Sequence, residues 1–355
     1  MKIYTFKPKI GFLDLCPESF DDLWILRRLI KTNDLITAQT TRVIKQVGEH
    51  IRPNKGERIK VKICVKVQQI NLDNVLDRLK VIGPIIETSD ENVSKGAFHS
   101  LSITIDKRIS IKKDQINDLE YKLLEKNKNK NNGFGIIAID RREVALGILI
   151  DTHLHIYPKI DSNESGKHYS IKKSSNQTYF EEIAEQIKNF LNTAYPLFLC
   201  GPGNTKDLLH NYLLNKHNNL ADSITPIQNI DLSGHDGIYI TLKSPDFIQK
   251  IQNSKFFHAY TILNQIMKSI VDQVKNIALS FDDVNAATNL GSIKAVLLSN
   301  KIFEKKINED LLITVLNKIE LTGGSIIIVD STTDIGLQVS SLGGIIALLR
   351  YPIYN

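Results

Sequence analysis

Apolar positions in residues 17–41 change period twice, and the change defines three consecutive elements. Phe20, Leu23, Trp24, Leu26, Leu29 and Ile30 recur at helical spacing. Ser19 ahead of them and Asp22 three residues on form the acidic variant of a capping box, so the helix starts next to Ser19. Thr32-Asn33-Asp34 supplies turn chemistry, and Leu35-Ile36-Thr37-Ala38 extends as a strand. Trp24, the one tryptophan of the chain, is expected to pack this helix.

Short strands dominate up to residue 126: 35–38, 59–67, 76–82, 85–86 and 100–105, with Asp106-Lys107-Arg108 as a turn. Val61-Lys62-Ile63-Cys64-Val65-Lys66-Val67 alternates strictly, as a half-buried strand does. One helix followed by about five short strands predicts a small, strongly bent barrel. Lys126-Asn127-Lys128-Asn129-Lys130-Asn131-Asn132-Gly133 holds no apolar side chain and reads as a linker, 127–133. Three strands follow at 135–140, 144–150 and 153–160, then a basic polar loop at 166–175, a helix at 178–192, a strand at 197–200 and a helix at 208–214. A meander followed by strand–helix alternation predicts a mixed sheet covered by helices, of the ribonuclease H-like kind. The last third opens with an amphipathic helix at 257–279 and then alternates: helix from 283, strand 295–298, helix 310–319, strand 325–329, helix from 334, strand 345–349. That is an α-β-α sandwich. The expected segments are therefore 1–126, 134–250 and 251–355, in a multidomain α/β chain.

Length agrees, because 355 residues exceed one ordinary core and suit two or three domains of roughly 100–150 residues each. No apolar run approaches the about 18 residues of a membrane helix, and the N-terminus lacks the features of a signal peptide. Three cysteines, odd in number and far apart, argue against a disulfide framework or a zinc knuckle and for a reduced, cytoplasmic protein. Charge changes the picture more. Residues 1–130 hold 25 Lys+Arg against 17 Asp+Glu, while the remainder carries 20 against 22, so the whole positive excess lies in the first third. Such asymmetry suits a polyanionic partner, most simply nucleic acid.

The candidate chemistry follows that charge. Residues 42–60 join two strands of the expected barrel and offer Arg42, Lys45, Arg52, Lys55, Arg58 and Lys60 on a loop broken by Gly48, Pro53 and Gly56. Spaced cations of this kind suit tracking of an RNA backbone, although the loop has no interleaved aromatic for stacking. Glu18, Asp21 and Asp22 form an acidic cluster that could hold a divalent metal, yet acids in a first helical turn are what the helix dipole favours, and capping is the preferred role. Asp140, with Glu181, Glu182 and Glu185 on the next helix, stands where a ribonuclease H-like nuclease places metal ligands. Gly201-Pro202-Gly203-Asn204-Thr205-Lys206 does not meet the phosphate-cradle pattern, and reads as a tight strand-to-helix turn capped by Asn204 and Asp207. The histidines form no metal-ligand spacing and nothing marks a nucleophile elbow.

Six separated stretches resemble the archaeal Pelota family, the ribosome-rescue relatives of class-1 translation release factors: Pro17-Glu18-Ser19-Phe20-Asp21-Asp22-Leu23-Trp24, Gly56-Glu57-Arg58-Ile59-Lys60-Val61, Gly96-Ala97-Phe98-His99-Ser100-Leu101, Gly201 to Lys206, Ser233-Gly234-His235-Asp236-Gly237-Ile238, and Leu342-Gly343-Gly344 through Ile353. The resemblance implies an Sm-like N-terminal barrel, a ribonuclease H-like middle domain and a C-terminal domain like the ribosomal proteins that bind kink-turn RNA. It implies a factor that recognises stalled ribosomes with an empty A site and promotes subunit dissociation and mRNA surveillance (no-go decay), without peptidyl-tRNA hydrolysis. The Gly-Gly-Gln tripeptide of release factors is missing, since Gly323-Gly324 precedes Ser325 and Gly343-Gly344 precedes Ile345.

The implied partners are the ribosome with its mRNA and rRNA, an elongation-factor-1-alpha-like GTPase and an ABC-type ribosome-recycling ATPase. No membrane and no required cofactor enter, and a cytoplasmic monomer is expected. By the same resemblance, residues 42–60 approach the decoding centre, and Lys167, His168, Lys172 and Lys173 of the 166–175 loop meet the GTPase or tRNA. Asn204 stands where the family commonly has an aromatic. The alternative function is a divalent-metal-dependent endoribonuclease cleaving mRNA on stalled ribosomes, with Glu18, Asp21 and Asp22 as candidate catalytic and metal residues. The absence of an acidic tail after Ile353 points to an archaeal origin.

Overall fold

A computed structural model describes residues 1–44, 57–73, 77–126, 133–162, 172–191, 195–302 and 307–353, with only the backbone of 43, 44, 57, 58, 126 and 172–176. The chain divides into two compact units, one of residues 1–130 with 306–324, the other of 131–305 with 325–355.

In the first unit, β1 (Lys2–Lys7) and β2 (Phe12–Cys16) precede α1 (Phe20–Leu29). Next come β3 (Leu35–Ile44), β4 (Glu57–Lys66), β5 (Gln69–Asp73), β6 (Arg78–Thr88), β7 (Phe98–Thr104), β8 (Ile109–Lys112) and α2 (Asp118–Lys126). The strands run β1-β2-β8-β3-β4-β6-β5, with β7 on β6. β6 turns the sheet back on itself: residues 78–84 pair with β7, whereas 85–88 pair with β4. Gly83 sits at the bend, where an added Cβ would lie 1.8 Å from the Lys66 carbonyl oxygen. This is the expected bent barrel, with four strands that the pattern did not predict, β1, β2, β5 and β8, and with the expected strands 76–82 and 85–86 joined in β6; Pro8 and Gly11 interrupt the alternation between β1 and β2.

α1 starts at the expected capping box. Ser19 Oγ accepts from Asp22 N–H at 3.4 Å, and the Asp22 carboxylate accepts from the N–H groups of Glu18 and Ser19 at 2.8 and 3.1 Å. Trp24 is 1 % exposed. All ten residues of α1 are buried, so Arg27 and Arg28 need partners within the fold. These lie on the helix Glu309–Leu321 of the same unit: Arg27 pairs with Glu309 and Asp310, while Arg28 donates to Asn317 at 2.8 Å and lies 3.5 Å from Glu320.

In the second unit, β9 (Gly133–Ile139), β10 (Glu143–Ile150), β11 (His153–Ile156) and β12 (Ile160–Asp161) form an antiparallel set around β10. After α3 (Lys172–Phe190), β13 (Leu197–Cys200) lies parallel to β9. Then follow α4 (Thr205–Lys216), α5 (Asn218–Ala221) and β14 (Ile224–Pro226), which is parallel to β13. The helices α6 (Gly234–Thr241), α7 (Pro245–Lys250) and α8 (Lys255–Val271) lead to a second sheet.

That sheet holds β15 (Ile277–Ala278), β16 (Ile293–Ser299), β17 (Ser325–Val329) and β18 (Ile345–Leu349), in the order β15-β18-β16-β17. The helices between its strands are α9 (Phe281–Asn289), α10 (Glu309–Leu321), which belongs to the first unit and meets α1, and α11 (Asp334–Ser341). β9 is apolar throughout because both its faces are covered. Ile137 and Ile139 join Tyr179, Phe180, Ile183 and Leu209 of α3 and α4, whereas Ile136 and Ala138 join a core that continues through Phe198, Phe247, Phe256 and Leu263 to Leu297 and Ile346 of the second sheet. Buried Asp330 fastens the same region, accepting from Leu154 N–H at 3.2 Å and from Thr332 Oγ1 at 2.7 Å. The three cysteines are free and buried.

Candidate nucleic-acid interface

β3 and β4 are ten-residue strands paired from Leu35↔Lys66 to Ile44↔Glu57, and their ribbon runs past the residues that pair with β8, 35–38, and with β6, 63–65. Strand β3 runs six residues beyond its expected end. Thr40, Thr41, Val43 and Ile44 are β-branched and continue it, which local propensity allows. Lys45, Arg52 and Lys55 lie outside the described residues, and of Arg58 only the backbone is described. Arg42 and Lys60 are described, and they do not share a surface. Arg42 is opposite Ile59, while Lys60 is opposite Thr41, so the two cations point to opposite faces. Lys60 is exposed, and Arg42 is half-buried near His99, whose imidazole is pushed below its ordinary value first by burial and then by the Arg42 charge.

The acidic cluster is committed elsewhere. Asp22 completes the cap and lies 2.9 Å from the α-amino group of Met1, which is also 3.1 Å from Glu18. Asp21 is buried in the first turn. Among the described residues no group of three or more His, Cys, Asp and Glu side chains is placed to hold a metal ion. The nuclease alternative therefore gains no support from Glu18, Asp21 and Asp22. Nor does Asp140 converge with the acids of α3: its carboxylate accepts from the N–H groups of Arg142 and Glu143 at 2.7 and 2.8 Å and shapes the β9–β10 turn. Glu181 instead accepts from Tyr212 and lies 3.3 Å from His217 Nε2.

Two expectations in the second unit need correction. The basic loop does not reach residue 175, because α3 begins at Lys172. Lys172 and Lys173 are helical, with their side chains undescribed, and Lys167 and His168 lie outside the described residues. A polar run such as Lys172-Lys173-Ser174-Ser175 carries no apolar period to announce a helix. Asn204 precedes α4 but makes no side-chain cap, and Lys206 Nζ braces the turn by donating to the carbonyls of Gly201 and Gly203 at 3.0 and 2.9 Å. Gly201 has φ +135°, and a Cβ there would meet the Ile139 carbonyl oxygen at 1.9 Å, so the turn needs glycine.

Fold and charge together define a class: a multidomain α/β chain whose basic β-rich first unit contains the long paired strands β3 and β4, with mixed sheets and helices in the remainder. A family model described as the Pelota N-terminal domain matches residues 1–128, and one described as eRF1 domain 3 matches 256–353. The chain is 37 % identical over 343 residues to a protein pelota homolog of Nitrosopumilus maritimus, covering 97 % of each, and 32 % identical over 340 residues to that of Cenarchaeum symbiosum, covering 96 % of each. Its fold is similar to the crystal structure of the Thermoplasma acidophilum Pelota protein, with a TM-score of 0.66 at 21 % identity over 99 % of this chain and 100 % of that one. The chain belongs to the Pelota family.

Proposed function

We propose that the protein is a ribosome-rescue factor that enters stalled ribosomes with an empty A site and promotes subunit dissociation and mRNA surveillance without hydrolysing peptidyl-tRNA. Family membership over nearly the whole chain carries this reading. The positive excess of residues 1–130 supports it, since a surface facing rRNA and mRNA gains affinity from phosphate neutralisation. Residues 1–126 supply the RNA-facing barrel, 134–250 the segment that meets the GTPase or tRNA through Lys167, His168, Lys172 and Lys173, and 251–355 the kink-turn-protein-like sandwich. Its partners are the ribosome, an elongation-factor-1-alpha-like GTPase and an ABC-type ATPase, and its place is the cytoplasm. No described helix is long and apolar enough to cross a membrane.

The hairpin cations Arg52, Lys55 and Arg58 contact the RNA of the A site. Replacing all three by alanine is expected to weaken ribosome binding and to flatten its salt dependence by about 2, at roughly 0.7 for each phosphate no longer neutralised. Unchanged binding at both low and high salt would sink the assignment of these residues.

A further inference from the structure

The outer face of the sheet β1-β2-β8-β3-β4 carries chemistry that the hairpin does not use. Side chains directly opposite on neighbouring strands share a face. The rungs Asp14↔Ser110↔Thr37↔Cys64 and Phe12↔Lys112↔Leu35↔Lys66 therefore lie on one side, together with Gln39↔Lys62 and Thr41↔Lys60. The other side is the core, where Leu13, Ile111, Ile36 and Ile63 are fully buried. Lys60, Lys62, Lys66 and Lys112 are all exposed, and none has a carboxylate partner within ion-pair distance among the described residues. The acids of this face are Glu87, opposite Cys64, and Asp14, which is already held by Arg108. Along β4, Lys62 and Lys66 stand about 13 Å apart, and Lys112 is about 10 Å from Lys66 across β3.

One edge of this cationic face ends in a flat stack. The register between β1 and β2 shifts between Ile3 and Thr5, and Tyr4 projects from the irregularity, 45 % exposed. The Arg108 guanidinium lies over the Tyr4 ring at 4.3 Å, with Lys2 Nζ 5.3 Å from the same ring. Asp14 accepts from both Arg108 Nε, at 3.0 Å, and Nη2, which fixes the plane of the guanidinium, while 60 % of the Arg108 side chain stays exposed.

We propose that this face binds single-stranded RNA: Lys62, Lys66 and Lys112 neutralise phosphates spaced along one strand, and a nucleobase stacks on the Arg108–Tyr4 pair. Arginine planes and aromatic rings are the usual stacking partners of unpaired bases, and stacking tolerates any base. An acidic peptide would use the lysines but not the stack. The proposal deepens the ribosome reading, on which its choice of RNA rests, and uses none of residues 45–56.

The test is a fluorescence-anisotropy titration of the intact chain with a short labelled oligouridylate, and with an abasic strand of the same length, across a series of salt concentrations. The triple variant Lys62→Ala/Lys66→Ala/Lys112→Ala should lower the salt slope by about 2. Arg108→Lys, which keeps the charge, should weaken oligouridylate binding about tenfold with little change in slope, and should abolish the preference over the abasic strand. An unchanged slope in the triple variant would overturn the phosphate path. Equal affinity of the wild-type chain for both strands would overturn the stack. Because the readout is free RNA, failure here is separable from a failure of ribosome binding, which is read by co-sedimentation of the wild-type chain.

Discussion

Replacing Lys113 by methionine should destabilise the first unit by about 3–5 kcal/mol, the usual cost of breaking a buried ion pair from one side. The Lys113 side chain is 2 % exposed, follows β8, and brings together three parts of the fold. Its ammonium donates to the Leu29 carbonyl at the end of α1 at 2.7 Å and to Asp34 at the start of β3 at 2.5 Å. It also lies 3.6 Å from Glu120 of α2, whose side chain is 2 % exposed. At an effective dielectric of about 20, the Asp34 contact alone is worth roughly 7 kcal/mol of gross attraction. Desolvation of both ions offsets much of that, and the residual cost arises because methionine fills the space but leaves the Asp34 carboxylate without its cation.

Asp34 keeps the N–H of Lys31 at 2.8 Å, and Glu120 keeps Lys31 Nζ at 2.7 Å, which places the expected loss toward the lower end of the range. Trp24 is the single tryptophan and lies in α1, so its fluorescence reports unfolding of this unit. With a urea m-value of about 2 kcal/mol/M, the midpoint should fall by about 1.5 M. The double variant Lys113→Met/Asp34→Asn should cost less than the sum of the single changes by about 1 kcal/mol or more. A midpoint shift below about 0.3 M, or strict additivity, would show that Lys113 and Asp34 are not a coupled buried pair.

Two further outcomes use the same titration. Ser19→Ala should cost about 1 kcal/mol by removing the α1 cap, and Asp22→Asn should cost more, because that carboxylate also serves the N–H groups of Glu18 and Ser19; no loss in either variant would contradict the cap. The hydrogen bond and charge of Arg108 hold the Asp14 carboxyl below its ordinary value of 3.8, so its contribution is fully present above that value and is lost as pH falls through the depressed native one. The stability difference between wild type and Asp14→Asn should therefore be complete near neutral pH and vanish in acid; a difference independent of pH would show that the pair does not act through ionisation.

Much of this architecture is readable because period and punctuation agree. The Ser19/Asp22 cap and the polar turn before Leu35 mark α1 and β3, and Gly291, Gly323-Gly324 and Gly343-Gly344 separate helices from strands in the last hundred residues. β9, apolar without alternation, announces a strand covered on both faces. What the sequence does not disclose depends on distant partners. Arg27 and Glu309 are 282 positions apart, and nothing near either one predicts their pairing. Residues 42–60 hold no aromatic, which suggests a barrel without a stacking surface; folding supplies one by placing Arg108 over Tyr4. Arg42 and Lys60 look equivalent on a basic loop, but pairing parity separates them by a face. Asn204 has the chemistry of a cap, whereas the turn is braced by Lys206 and by glycine conformation.

As proposed, this chain acts on stalled ribosomes without hydrolysing the peptidyl-tRNA. The direct measurement is subunit splitting of ribosomes stalled with an empty A site, in the presence of the cognate GTPase and ATPase, with and without the protein, while released peptide is monitored in the same reaction. Splitting should depend on the protein, and the peptide should stay attached to tRNA. Splitting no faster than in its absence, or release of free peptide on its addition, would show that the protein is not such a rescue factor.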